Sequence, residues 1–250
     1  MVVDDLLLDL LQNRLRQRGR PGVEVVYATH SFSPYLRSSI LHSYFGDVKI
    51  LPVLQRRATI SSMEQFTLSA SAGGAEIPVF VTVPADASRE LSTRAAVQYI
   101  HGMGDRAARN EELYDALAAS GYAVYAADLP GHGLRRDGPV FLGRRGGCES
   151  VISECHDLRR EIERRHPSVP RFVIGHSMGT LFARITAAES PDSYRGVVLS
   201  GPVGPLGPLR LLGLTTGAIG RLFRGARRAN RLFAALSFGQ YAKSVPDRRT

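Results

Sequence analysis

The sequence predicts an α/β fold, a mainly parallel sheet with helices on both faces. Three observations predict it. From about Ser62 onward, short β-rich apolar runs alternate with helical stretches, the pattern produced when parallel strands are joined by helical crossovers. The run Arg171-Phe172-Val173-Ile174 leads straight into Gly175-His176-Ser177-Met178-Gly179 and then into a helical stretch ending at Glu189. Two further apolar runs end in glycine-rich turns, His101-Gly102-Met103-Gly104 and Asp128-Leu129-Pro130-Gly131-His132-Gly133, at the sheet edge where open α/β sheets bind ligands.

The chain divides into an N-terminal extension (1–57), a core (58–204) and a basic amphipathic segment (205–250). In the extension, Val3, Leu6, Leu7, Leu10, Leu11 and Leu15 recur at helical spacing, which predicts an amphipathic helix for the core, a partner or a membrane surface. Nothing else in it points to chemistry. In the core, Met63–Ala70 and Ile77–Val83 alternate around Gly73-Gly74, an antiparallel hairpin signal. Ala95–Ile100 reads as a buried strand. Asn110 is placed to cap a helix that runs through Ala119 and stops at Gly121. Tyr122–Ala127 is a strand, and Ser150–Arg165 a helix whose inner face is Val151, Cys155, Leu158 and Ile162. Phe172–Gly175 and Gly196–Ser200 are strands flanking the helix after Ser177.

Composition narrows the function classes. Apolar content of 44% and charged content of 22% are those of a soluble globular protein. No uncharged apolar run reaches the roughly 18 residues of a membrane span, and the first residues lack a signal peptide's basic start and cleavage site. A cytoplasmic protein, at most peripheral at the membrane, is expected. Cys148 and Cys155 lie seven apart on one helix, roughly 10 Å along its axis, too far to bridge. The net charge of +9 is local: from residue 201 onward, nine basic residues stand against a single acid, Asp247. There Leu209, Leu212, Leu222, Phe223, Leu232 and Phe233 interleave with Arg210, Arg221, Arg224, Arg227, Arg228 and Arg231. Such a segment either lays apolar residues into a lipid interface with arginines on anionic head groups, or forms a helix with a solvated basic face. Without a recognised binding fold it gives no reason to expect nucleic acid.

The strand–Gly-x-Ser-x-Gly–helix pattern is that of a nucleophile elbow, which lifts a serine hydroxyl clear of the sheet. Side chains at Gly175 or Gly179 would collide with neighbouring backbone at so sharp a turn. The competing reading is a structural turn whose serine caps the helix. If Ser177 attacks a carbonyl, donors must face the oxyanion that forms. The elbow supplies one as the N–H of Met178, and the loop after the strand Ala95–Ile100 the other, assigned here to the N–H of Met103, with Gly102 and Gly104 permitting close approach. His101 and Asp105 brace this loop rather than exchange protons. His132, between two glycines, reads as a structural histidine bonded to nearby backbone. His176, inside the elbow, supports the same turn.

These residues carry a resemblance. His101-Gly102-Met103-Gly104, Asp128-Leu129-Pro130-Gly131-His132-Gly133 and Gly175-His176-Ser177-Met178-Gly179, with Leu236-Ser237-Phe238-Gly239-Gln240-Tyr241-Ala242-Lys243, resemble the α/β-hydrolase superfamily, in particular its monoacylglycerol lipase/lysophospholipase branch (the serine aminopeptidase S33, or Hydrolase_4, grouping). The resemblance covers about three quarters of the chain, from about Ser62. It implies an α/β-hydrolase fold, Ser177 as nucleophile, Met103 and Met178 as oxyanion donors, an acyl-ester or lysolipid substrate, a lid formed by residues 205–250, and neither metal nor cofactor.

One departure is plain. In this fold the order is Ser, then Asp or Glu, then His, yet His30, His42, His101, His132, His156, His166 and His176 all precede Ser177. Of the acids after it, Glu189, Asp192 and Asp247, none follows a strand as the pattern requires. The expectation is a chain that stops within the lid, lacks the last two strands, leaves a sheet edge uncovered and has doubtful activity alone. A pseudohydrolase serving as a lipid-binding or interaction module is the alternative.

Overall fold

The computed structural model describes residues 24–28, 63–84, 93–135 and 147–202. They form seven strands: β1 (Glu24–Ala28), β2 (Glu64–Ser69), β3 (Glu76–Thr82), β4 (Ala95–Ile100), β5 (Tyr122–Ala127), β6 (Arg171–His176) and β7 (Gly196–Ser200). Three helices connect them, α1 (Glu111–Ala119), α2 (Cys148–Arg165) and α3 (Gly179–Glu189), with 3-10 turns at Ala107–Asn110 and Gly133–Arg135. The strands make one sheet in the order β1-β7-β6-β4-β5-β3-β2. The β2–β3 and β3–β5 pairs are antiparallel, and the other four are parallel. The expected hairpin and the parallel centre are therefore both present.

Alternation along the central strand sends side chains to opposite faces. Val97 and Tyr99 of β4 pack with Tyr114 of α1, the two tyrosine rings meeting edge to face at 5.3 Å. On the other face, Val173, Val197 and Leu199 pack with Val151 and Cys155 of α2 and with Phe182, Ala183 and Ala187 of α3. The four residues expected on the inner face of α2 are all buried. Gln98 of β4 is buried on that face too, and it is satisfied: its Nε2 donates to the Cys155 carbonyl at 2.9 Å and its Oε1 accepts from the Tyr194 hydroxyl at 2.6 Å. Cys148 and Cys155 are both free thiols, and burial, the leading cause, pushes the Cys155 thiol up to about 12. No described helix is long and apolar enough to cross a membrane.

Two expectations need correction. Asn110 does occupy the N-cap of α1, but its side chain makes no capping bond. The preceding 3-10 turn brings the chain into the helix already wound, and Asn110 Nδ2 lies 3.5 Å from Asp105 Oδ2 instead. The edge beside β7, expected to lie open, is paired: β1 runs parallel to it in register from Glu24↔Gly196 to Ala28↔Ser200. Val25, Val26 and Tyr27 are residue types that suit a pleated strand, and β7 offers a row of backbone groups that this segment satisfies. Five residues of the N-terminal segment thus join the sheet. The amphipathic helix expected at residues 3–15 and the segment 205–250 lie outside the described residues.

Candidate active site

Ser177 sits between β6 and α3 with φ = 50°, the one non-glycine residue with positive φ among those described. A non-glycine residue in the left-handed region costs on the order of 1 kcal/mol or more and persists only where surrounding contacts enforce it. The enforcing contacts are visible. The Ser177 N–H donates to the Ser200 carbonyl at 2.8 Å, and the Ser177 carbonyl accepts from the Thr180 N–H at 2.9 Å and the Thr180 hydroxyl at 2.7 Å. Both flanking glycines are required by space. A Cβ at Gly175 would lie 2.5 Å from the Gly179 carbonyl oxygen, and one at Gly179 would lie 2.1 Å from that of Ile100. The serine itself is partly exposed.

The loop after β4 comes up against this turn. A Cβ on Gly102 would lie 3.2 Å from Ser177 Cβ and 3.3 Å from the His176 carbonyl oxygen, so a side chain there would press on the turn and push it back by a few tenths of an ångström. Met103 is exposed and Met178 is buried. The N–H groups of both residues make no hydrogen bond to another described residue. The structure therefore brings together Gly102, Gly175, His176, Ser177 and Gly179, with Met103 and Gly104 on the adjoining loop.

His101 is fully buried and acts as a brace. Its Nε2 accepts from the Leu129 N–H at 3.1 Å, which puts the proton on Nδ1, and Nδ1 donates to the Gly102 carbonyl at 2.8 Å. With both nitrogens committed, it has none left for Ser177. His132, whose ring centroid is 5.2 Å from that of His101, bonds through Nδ1 to the Pro130 carbonyl at 2.8 Å, the structural role expected of it. His176 is half-buried with Nδ1 3.2 Å from Ser200 Oγ, and burial, the leading cause, lowers its pKa. Glu189 pairs with His156 at 2.8 Å. Among the described residues no imidazole or carboxylate hydrogen-bonds Ser177 Oγ, and no group of His, Cys, Asp or Glu is arranged to hold a metal ion.

Burial above all holds His101 below its ordinary pKa of 6.5; the Gly102 carbonyl opposes this, His132 reinforces it, and Asp105 and Asp128 oppose it. A lowered folded value means the unfolded chain takes up the proton first as pH falls. This contribution to stability is complete above about pH 6.5 and lost as pH drops toward the folded value. His166 and His176 are lowered as well. Urea midpoints should fall between pH 7.5 and 5.5, and His101→Gln should flatten part of that slope. An unchanged slope would show that His101 is not among its causes.

Sequence reading passed over one group, the carboxylate of Asp128. It is buried at the end of β5 and accepts the Ala107 N–H at 2.7 Å and the Leu134 N–H at 2.8 Å. The Asp-Leu-Pro-Gly-His-Gly run was its only signal. Arg135 beside it donates to the Asp128 carbonyl at 3.2 Å and to both oxygens of Glu154 on α2, one of them at 2.9 Å. A cavity of about 680 Å³ lies beside the loop, between Phe80, Arg106, Arg109, Asp128, His132 and Leu134. Ser177 does not line it.

Comparison with known proteins bears on this geometry. A family model described as Hydrolase_4, "Serine aminopeptidase, S33", matches residues 92–240. The chain is 32% identical over 146 residues to a monoacylglycerol lipase of Mycolicibacterium smegmatis, covering 57% of this chain and 48% of that protein. It is 32% identical over 117 residues to human monoglyceride lipase, covering 44% and 35% respectively. It thus spans about a third to a half of the length of these relatives. Among solved structures, a thermostable carboxyl esterase from Bacillus coagulans superposes with a TM-score of 0.61 at 22% identity, covering 76% of this chain and 60% of its own. A lipase in an open form gives 0.61 at 25% identity, covering 74% and 59%.

Proposed function

This chain belongs to the Hydrolase_4 (serine aminopeptidase S33) family, and from that premise we propose that it is a serine hydrolase of carboxylic esters whose substrates are monoacylglycerols or lysophospholipids. The monoacylglycerol lipase relatives support the substrate class. The observation that supports the chemistry most is Ser177, held at φ = 50° against the Gly102 loop.

Ser177 Oγ attacks the ester carbonyl carbon. Negative charge gathers on the carbonyl oxygen and is met by the N–H groups of Met103 and Met178, a preorganised pair that stabilises the intermediate without rearranging. Collapse expels the substrate's alcohol, which takes up the proton that Oγ gave to the base, and leaves the acyl group on Oγ. Water then attacks the acyl-enzyme, gives up a proton that returns through the base to Oγ, and releases the fatty acid. The proton from Oγ passes to a base outside the described residues, for a serine without one is a weak nucleophile at neutral pH. In this reading residues 205–250 form the lid, where arginines and interleaved leucines suit an anionic lipid surface, and the protein works in the cytoplasm or at a membrane face.

A fluorophosphonate probe tests the proposal. The probe should add covalently to the peptide containing Ser177, in this chain or in a version extended at its C terminus, and Ser177→Ala should abolish the adduct. An adduct on another residue, or none in either version, would remove the assignment.

A further inference from the structure

We infer that Asp128 is a positioning residue for the oxyanion site: it holds the loop that carries Met103 in register with Ser177. The inference rests on the serine-hydrolase reading above. Asp128 acts through the backbone: each of its two carboxylate oxygens accepts a backbone N–H.

The loop leaves β4 after Ile100 and enters the 3-10 turn at Ala107. Its start is fixed by His101, whose ring bridges the Gly102 carbonyl and the Leu129 N–H. Its far end is fixed by Asp128. The Ala107 peptide is held on both sides, its N–H by Asp128 Oδ1 at 2.7 Å and its carbonyl by the Tyr114 hydroxyl at 2.7 Å. Met103 lies between these two anchors, four residues before Ala107. Both anchors run to consecutive residues, Asp128 and Leu129, at the end of β5, the strand next to β4. The amide's position relative to Ser177 is thus referred to the sheet and not left to the loop.

The second oxygen ties in the following turn. Oδ2 accepts the Leu134 N–H at 2.8 Å, and a Cβ on Gly133 would lie 2.1 Å from the carboxylate. The turn wraps the side chain with no room to spare. Bonds from N–H to an ionised carboxylate are stronger than those to a neutral acceptor, and opposite oxygens serve opposite segments. Asparagine matches the shape of aspartate but offers one acceptor in place of two, so one segment must lose its bond.

Saturation kinetics with the fluorophosphonate separate positioning from mere stability. They yield a maximal labelling rate, which reads the oxyanion geometry, and a half-saturating probe concentration, which reads binding. Removing one oxyanion donor outright costs roughly 10²–10³ in rate; a displaced donor should cost less. Folded Asp128→Asn, assayed well below its melting temperature, should label about 10–100-fold more slowly, with half-saturation changed by less than about 3-fold. Ala107→Pro removes the N–H from the other side of the same bond at a helix-start position that tolerates proline; it should show the same split, and it carries the measurement if Asp128→Asn does not fold. Tyr194→Phe, which loosens the buried Gln98 contact away from the loop, should lower the melting temperature and leave the labelling rate unchanged. Wild-type-like rates in the folded loop variants, or an equal drop in Tyr194→Phe, would overturn the inference alone. Absence of a wild-type adduct both in this chain and in the version extended at its C terminus would overturn the hydrolase reading and this inference with it.

Discussion

Gly179→Ala is expected to destabilise the protein by about 4 kcal/mol or more, in the range reserved for severe steric or cavity defects. In a helix interior alanine is ordinarily the better residue, by up to about 1 kcal/mol over glycine. Here the added methyl would stand 2.1 Å from the Ile100 carbonyl oxygen and 2.7 Å from that of His101. Both obstacles are backbone at the end of the central strand, so neither can swing aside. Relief requires α3 to lift from β4, which breaks the contacts of Phe182 and Ala183 with the core. The steric term therefore wins. Thermal unfolding followed by circular dichroism should show a drop of roughly 10 °C or more for a domain of this size. The same lift removes Ser177 from the Gly102 loop, so probe labelling should fall with it. A Gly179→Ala protein as stable as the wild type would mean that the elbow is not packed as described.

The second large effect is expected at Glu154. This carboxylate on α2 pairs with both terminal nitrogens of Arg135, and the two side chains are only 6% and 14% exposed. Replacing a buried ion pair by apolar residues is often close to neutral, whereas removing one partner strands the other charge, at about 3–5 kcal/mol. Arg135 is near the surface and keeps its bond to the Asp128 carbonyl, which argues for the lower end, about 3 kcal/mol. Glu154→Ala should thus lower the urea midpoint clearly, and Glu154→Leu with Arg135→Met should recover most of the loss. A double variant no better than the single one would show that the pair contributes its own attraction and does not merely avoid an orphaned charge.

The parts of this fold that were legible in the sequence are those written locally. Strand alternation at 64–69 and 76–82, the inner face of α2 and the elbow at Ser177 each follow from residues within one element of one another. Expectation failed where partners are distant. The segment Glu24–Ala28 is five residues long, and its parallel partner begins 172 positions later, at 196 against 24, so no periodicity marks it as part of the sheet. The role of Asp128 was hidden for the same reason: its bond to Ala107 spans 21 residues, with α1 and β5 between the two partners. The glycines beside it were conspicuous; the carboxylate was not. Asn110 shows the converse error, a local cap signal set aside because the 3-10 turn had already wound the chain into α1.

The pairing of β1 with β7 also sets an order on synthesis. The first of the described strands to be made is among the last of them to find its place, since Gly196–Ser200 must be made before Glu24–Ala28 can join it. At ordinary translation rates that interval is on the order of ten to thirty seconds. Through it, the nascent chain carries an unmated Val25-Val26-Tyr27 stretch, the kind of sticky β-forming segment that chaperones shield while the rest of the domain condenses.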